Sequence, residues 1–185
     1  MAIAEENERN PKQARGRTKM DSEGSFWKFS LAFYADPAIA GICIDLQDRH
    51  WSDVNVVLFV LWCASRHRSL SPHELERVVA SISGWQNDVV RPLRGVRRNL
   101  KQLAADLALA SISELREAVK KQELKAEHLQ QSLMEARFSD IGSPAPDRAA
   151  AARSNVERYA TFVGQIFPAA HIAALVARLQ AIRPD

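Results

Sequence analysis

Residues 54 to 64, VNVVLFVLWCA, constrain the fold more than any other part of this 185-residue chain. They are its longest apolar run, broken only by Asn55. The run falls far short of the ~20 residues that a helix needs to cross a bilayer. It is therefore predicted to be a helix buried within a globular core, with other helices packed around it. The remaining sequence can supply them. Seven glycines, eight prolines and no alternating apolar–polar pattern argue against a sheet-built core and predict an all-α fold.

The start signals are clear. Asp36-Pro37 sets a capping carboxylate before a first-turn proline, so a helix begins there, after one that holds Phe26 to Tyr34. Ser52 or Asp53 caps the buried helix. Ser71-Pro72 repeats the signal, with Leu75, Val78, Val79 and Ile82 on the apolar face that follows. Gly84 and Trp85 read as a break before a helix over NDVVRPLRGVRRNLKQLAADL, in which Pro92 marks a kink or a first turn. Leu93, Val96, Leu100, Leu103 and Leu107 recur along one side of it. Ser111 and Glu114 have capping-box spacing and open a long helix to about Phe138. Its heptad-like stripe, Ile112, Leu115, Val119, Ala126, Leu129 and Leu133, is interrupted at Gln122. The two helices are expected to form an antiparallel hairpin.

The resulting division is a charged tail over residues 1–24, a core of about five helices over 25–138, a linker over 139–147 and a C-terminal helix pair over 148–185. A chain of this length can bury roughly two-thirds of its unfolded surface, so it needs neither metal nor disulfide to fold. Cys43 and Cys63 lack CxxC spacing and paired histidines, and they are read as reduced core thiols in a reducing compartment. No metal-ligand cluster and no cofactor motif can be assembled. The tail alternates in charge, and Glu5, Glu6 and Glu8 are wrong for a signal or transit peptide. A disordered tail on a soluble, cytoplasmic protein is the expectation.

Phe26-Trp27, Phe29-Ser30-Leu31, Tyr34, Leu46-Gln47-Asp48, Asp53-Val54-Asn55 and Trp62 resemble a family of bacterial conserved hypothetical proteins with the pattern FWxFSLxxY, LQD and DVNxLLFxxW. Trp85, Val90-x-Pro92-Leu93-Arg94, Arg97-Arg98 and the segment Glu123 to Glu127 are similar to it as well, so the resemblance spans about residues 26–134. The resemblance implies no assigned activity and carries over no catalytic residue. The chain departs from the pattern at Trp51, where members often have glycine. The resemblance therefore implies that a glycine-only backbone conformation is not essential there.

Two groups of residues are candidate sites. Gln47, Asp48, Asp53 and Asn55 flank the junction between two helices. They are read first as helix caps, and alternatively as a polar pocket for a ligand or for acid–base chemistry. Arg91, Arg94, Arg97, Arg98 and Lys101 share one side of their helix, beside the leucine–valine stripe. They are read first as a solvated face, paired across the hairpin with Glu114, Glu117, Glu123 or Glu127, and alternatively as a phosphate-binding strip. The tryptophans at 27 and 62 are predicted in the core, and Trp51 in a polar loop.

These features define three classes of function. The first is a non-catalytic helical adaptor that holds a protein partner. The second is RNA or polyanion binding through the arginine face. The third is a small enzyme built on Asp48, Asp53 and Asn55, with no nucleophile, phosphate loop or metal motif beside it. The adaptor is the reading preferred here.

Overall fold

The computed structural model describes residues 24–107 and 109–182. The tail therefore lies outside the described residues, apart from Gly24. The fold is all-α. Its centre is α3 (Val54–Ser65), in which every residue from Asn55 to Ala64 is buried. Around it pack α1 (Ser25–Tyr34), α2 (Pro37–Arg49), α6 (Ala110–Phe138) and α7 (Arg148–Phe162). Among the described residues no single helix is long and apolar enough to cross a membrane.

The caps predicted at Asp36, Asp53 and Ser71 form. Asp36 accepts from the Ala38 amide at 2.9 Å and starts α2 behind Pro37. Ser71 and Glu74 close a reciprocal capping box on α4 (Pro72–Trp85). The other oxygen of Glu74 accepts from the Gly142 amide at 3.1 Å. That bond holds β2 (Ser143–Pro144) beside β1 (Arg68–Ser69), an antiparallel two-residue pair.

The break expected at Gly84-Trp85 does not occur. The chain stays helical through them, widens into a π turn over Gln86–Val90, and continues as α5 (Arg91–Leu107). The Arg91 amide reaches back to the Gln86 carbonyl. Pro92 explains the widening. It brings no N–H, and its ring would crowd the carbonyl one turn back, so a looser turn just before it keeps the rod continuous. The capping box expected at Ser111 is also absent. Leu109 is the extended N-cap residue and Ser111 already lies inside α6, too far in for its side chain to cap.

The C-terminal helices complete the core. Asp147 caps α7 through the amides of Ala149 and Ala150. The small side chains Ala151 and Ala152 are buried where α7 runs along α3. Next, α8 (Ala169–Ala181) buries Ile172, Leu175, Val176 and Leu179 against the same cluster. Arg178 bonds the carbonyls of Ala32 and Phe33 at the end of α1.

Trp62 stacks into the core with Phe26 and Phe59, at centroid distances of 5.3 and 5.6 Å. Trp27 departs from expectation. It is only half-buried and lies on the His128 ring at 4.3 Å, because its side of α1 faces an open cleft. Trp51 corrects a second expectation: its backbone takes φ +54°, the left-handed region that glycine enters freely. A tryptophan there costs roughly 1–2 kcal/mol, and the residue is 73% exposed. Burial pushes the thiols of both Cys43 and Cys63 up to about 12, which leaves them inert.

Candidate functional site

The helix junction that looked like a single polar cluster divides in two. Asp53 and Asn55 turn inward. Asp53 is the N-cap of α3, and its Oδ1 accepts from the Asn55 amide at 2.9 Å. Its own amide donates to the Tyr159 hydroxyl at 2.8 Å. From Asp53 a chain of buried side chains crosses the core. Ser30 Oγ donates to Gln131 Oε1 at 2.8 Å, and Gln131 Nε2 donates to Asn55 Oδ1 at 2.8 Å. Asn55 Nδ2 donates to Gln130 Oε1 at 3.0 Å, and Gln130 Nε2 donates to Asp53 Oδ2 at 2.7 Å. Every donor points toward the Asp53 carboxylate, an alignment that favours a negative charge at that end. Burial works against it and pushes the Asp53 carboxyl above its ordinary range, with the bonds from Gln130 and Asn55 opposing.

Gln47 and Asp48 stay on the outside of α2. Gln47 Nε2 donates to Asp48, and Asp48 is bound by Arg98. The bond from Arg98 holds the Asp48 carboxyl below the usual carboxylate range. Asp48 and Asp53 therefore have separate partners and do not form a carboxylate dyad.

The arginine face takes up the same kind of pairing. Arg94 Nε donates to Glu123 at 2.9 Å, and Arg94 Nη2 donates to Glu127 at 2.5 Å. Arg97 holds the other Glu123 oxygen. Burial pushes the Glu123 carboxyl up, but the bonds from Arg97 and Arg94 outweigh it and hold it low. At Glu127 burial wins over Arg94, and the carboxyl is raised. Among the described residues Arg91 bonds Asn87 alone, and Lys101 is exposed at the far end of the face.

Two clefts open on the buried polar chain, one near each end. The first, of about 190 Å³, has Trp27, Tyr34 and Leu58 in its walls, Ser30, Asn55 and Gln131 in its floor, and Gln47 and Glu127 at its rim. Burial pushes the Tyr34 phenol up to about 12. The second, of about 230 Å³, is lined by Trp51, Asp53, Gln86, Arg91 and Tyr159. Of the residues predicted from sequence, Gln47 and Asn55 line the first cleft, and Asp53 and Arg91 line the second. Sequence reasoning missed Ser30, Gln86, Gln130, Gln131 and Tyr159. A signal existed in α6, where Glu123, Ala126, Gln130 and Met134 are three or four residues apart and form the buried face.

Residues 25–134 match the family described as "Protein of unknown function (DUF2390)", and the chain belongs to that family. No curated protein and no solved structure matches the chain. The matched span holds both clefts except for the wall contributed by α7, and it ends inside α6.

The raised Asp53 carboxyl has a measurable consequence. A folded-state pKa above the unfolded value means that the native state binds the proton more tightly, so stability falls as pH rises through that pKa. Asp53→Asn removes the titration and still caps the helix, since asparagine caps about as well as aspartate. The amides can reverse their order down to Ser30, whose hydroxyl can rotate to accept. The variant should be close to wild type near pH 4 and gain on it as pH rises to 7, as read from thermal melts at both values. A constant difference between the two would show that Asp53 does not titrate abnormally.

Proposed function

We propose that this protein is a non-catalytic helical adaptor that holds an amphipathic helix of a partner protein against the α5–α6 hairpin. One observation carries the reading. Val96, Leu103, Leu107, Leu109 and Leu115 are each 45–55% exposed, and α5 buries no residue at all. Val96, Leu103 and Leu107 are seven and four residues apart, so they share one side of α5. Leu109 and Leu115 are exposed as well. Isolated exposed leucines are ordinary, but a strip along one side of a helix has the shape that another helix covers. The pairing of Arg94, Arg97 and Arg98 with Glu123, Glu127 and Asp48 supports this choice over a phosphate-binding face.

The test compares the tagged full chain with a Leu103→Asp/Leu115→Asp variant in pull-downs at two salt concentrations, with and without nuclease. Both sites are exposed, so the variant should melt within a few degrees of wild type. A protein retained by the wild type, insensitive to nuclease and lost from the variant is the expected result. Retention that depends on nucleic acid and survives in the variant would replace the adaptor with polyanion binding.

A further inference from the structure

We propose that the buried side chains from Asp53 to Ser30 form a two-state relay, in which a proton bound at Asp53 reverses every hydrogen bond of the chain and frees the Ser30 hydroxyl hydrogen for an acceptor in the first cleft. The chain runs through four bonds of 2.7–3.0 Å, from Ser30 to Gln131, Gln131 to Asn55, Asn55 to Gln130 and Gln130 to Asp53. Its three middle members are primary amides, each with an oxygen on one side and N–H groups on the other. Turning an amide over exchanges the two with almost no change of shape. Turning one alone sets oxygen against oxygen at one link and N–H against N–H at the next, and each buried mismatch costs about 1–3 kcal/mol. The three amides therefore turn together. Only the ends decide the direction, and both can serve either way. An ionised Asp53 accepts and draws every donor toward it, whereas a protonated one donates from Oδ2 to Gln130. Ser30 Oγ then accepts from Gln131 Nε2.

The relay joins the two clefts across the core, because Asp53 lines the second and Ser30 the first. The proton comes from solvent by way of the second cleft and adds to Oδ2. Oδ1 keeps the Asn55 amide in both states, so the helix cap survives the reversal. All five residues are at most 9% exposed, which leaves water little access to break the chain into independent parts. The charged groups around Asp53 act in both directions. Arg91 and Arg94 on α5 favour its ionised form, and Glu127 on α6 opposes it. Tyr159 on α7 stays neutral, its phenol pushed up by burial, and α4 brings only Val79, Ile82 and Ser83 to that cleft. Burial outweighs the two arginines and raises the Asp53 carboxyl, which moves the reversal toward neutral pH.

The experiment follows the side-chain amides of Asn55, Gln130 and Gln131 and the Ser30 Cβ by NMR in the full-length protein, between about pH 4 and 8. All four resonances should move with one shared midpoint, although Gln131 lies three hydrogen bonds away from Asp53. Asp53→Asn supplies a permanent donor in place of the protonated carboxyl and still caps α3. It should hold the four resonances at their low-pH wild-type positions across the whole range. Glu127→Gln removes the other nearby carboxyl that burial raises, and the shared titration should persist in it. Resonances that do not titrate in this range, or that titrate with separate midpoints, would overturn the proposal. So would an Asp53→Asn spectrum that matches wild type at high pH, or loss of the titration in Glu127→Gln.

Discussion

Trp62→Ala should lower the stability of the protein by about 3–5 kcal/mol, the usual range for deleting a large buried aromatic ring. The ring, on the helix at the centre of the fold, packs against Phe26 and Phe59, which also touch each other, and the Arg66 guanidinium sits 4.7 Å from its centroid. Removing it leaves a void bounded by rigid rings on a helix that is packed on all sides, so collapse cannot fill the space. For a chain of this size the loss corresponds to a drop in melting temperature of roughly 6–20 °C. A melt within a degree or two of wild type would mean that α3 is not the structural centre. Trp27→Ala should cost clearly less, because that ring is half-buried beside a cleft.

Asn55→Leu should be nearly as damaging, at about 3–5 kcal/mol, for a different reason. Leucine has as many side-chain heavy atoms as asparagine and is bulkier, so no cavity forms and some overpacking adds to the loss. It leaves Gln130 Oε1 and Gln131 Nε2 buried with no partner, and each orphan costs about 1–3 kcal/mol. The bonds along the chain also reinforce one another, so removing the middle member weakens both flanks. Urea melts of Asn55→Leu and of a triple variant that also carries Gln130→Leu and Gln131→Leu check this. The triple variant removes the orphaned amides but strands the buried Asp53 Oδ2 and the Ser30 hydroxyl, so it should recover little of the loss. A single-variant loss under about 1 kcal/mol would indicate that water already satisfies these groups.

Much of the fold was legible because its signals are local. Asp36-Pro37, Ser71-Pro72-x-Glu74 and the apolar run of α3 each specify a start or a burial within a few residues, and all three formed as read. What was not legible depended on pairing across the fold. Asp53 is marked as a cap by the apolar run that follows it, but nothing within five residues of Asp53 or Asp48 shows that one faces Gln130 and the other Arg98. Gln130 and Gln131 were passed over because a polar residue in a heptad usually marks the solvent side, and here the stripe drifts so that they land inside. Trp51 shows the reverse error. A side chain that should have excluded a left-handed backbone adopts one, because the junction geometry overrides the local preference.

The π turn at Gln86–Val90 sets the azimuth of everything beyond it. Along an uninterrupted α-helix, at 100° per residue, Leu75, Val78 and Ile82 would continue in phase through Leu93, Val96 and Leu100 as one stripe toward the body. The extra residue in the wide turn retards the rod by roughly that angle. Arg94, Arg97 and Arg98 consequently arrive where the apolar stripe would have been, facing Glu123 and Asp48, and Val96, Leu103 and Leu107 are carried round into water. Deleting a single residue from this turn would bring the stripe back into phase, bury the leucines against the body and release the arginines to solvent. Whether this face meets its surroundings with apolar groups or with positive charge is thus decided by a residue count of one, between one and five turns away from the side chains concerned.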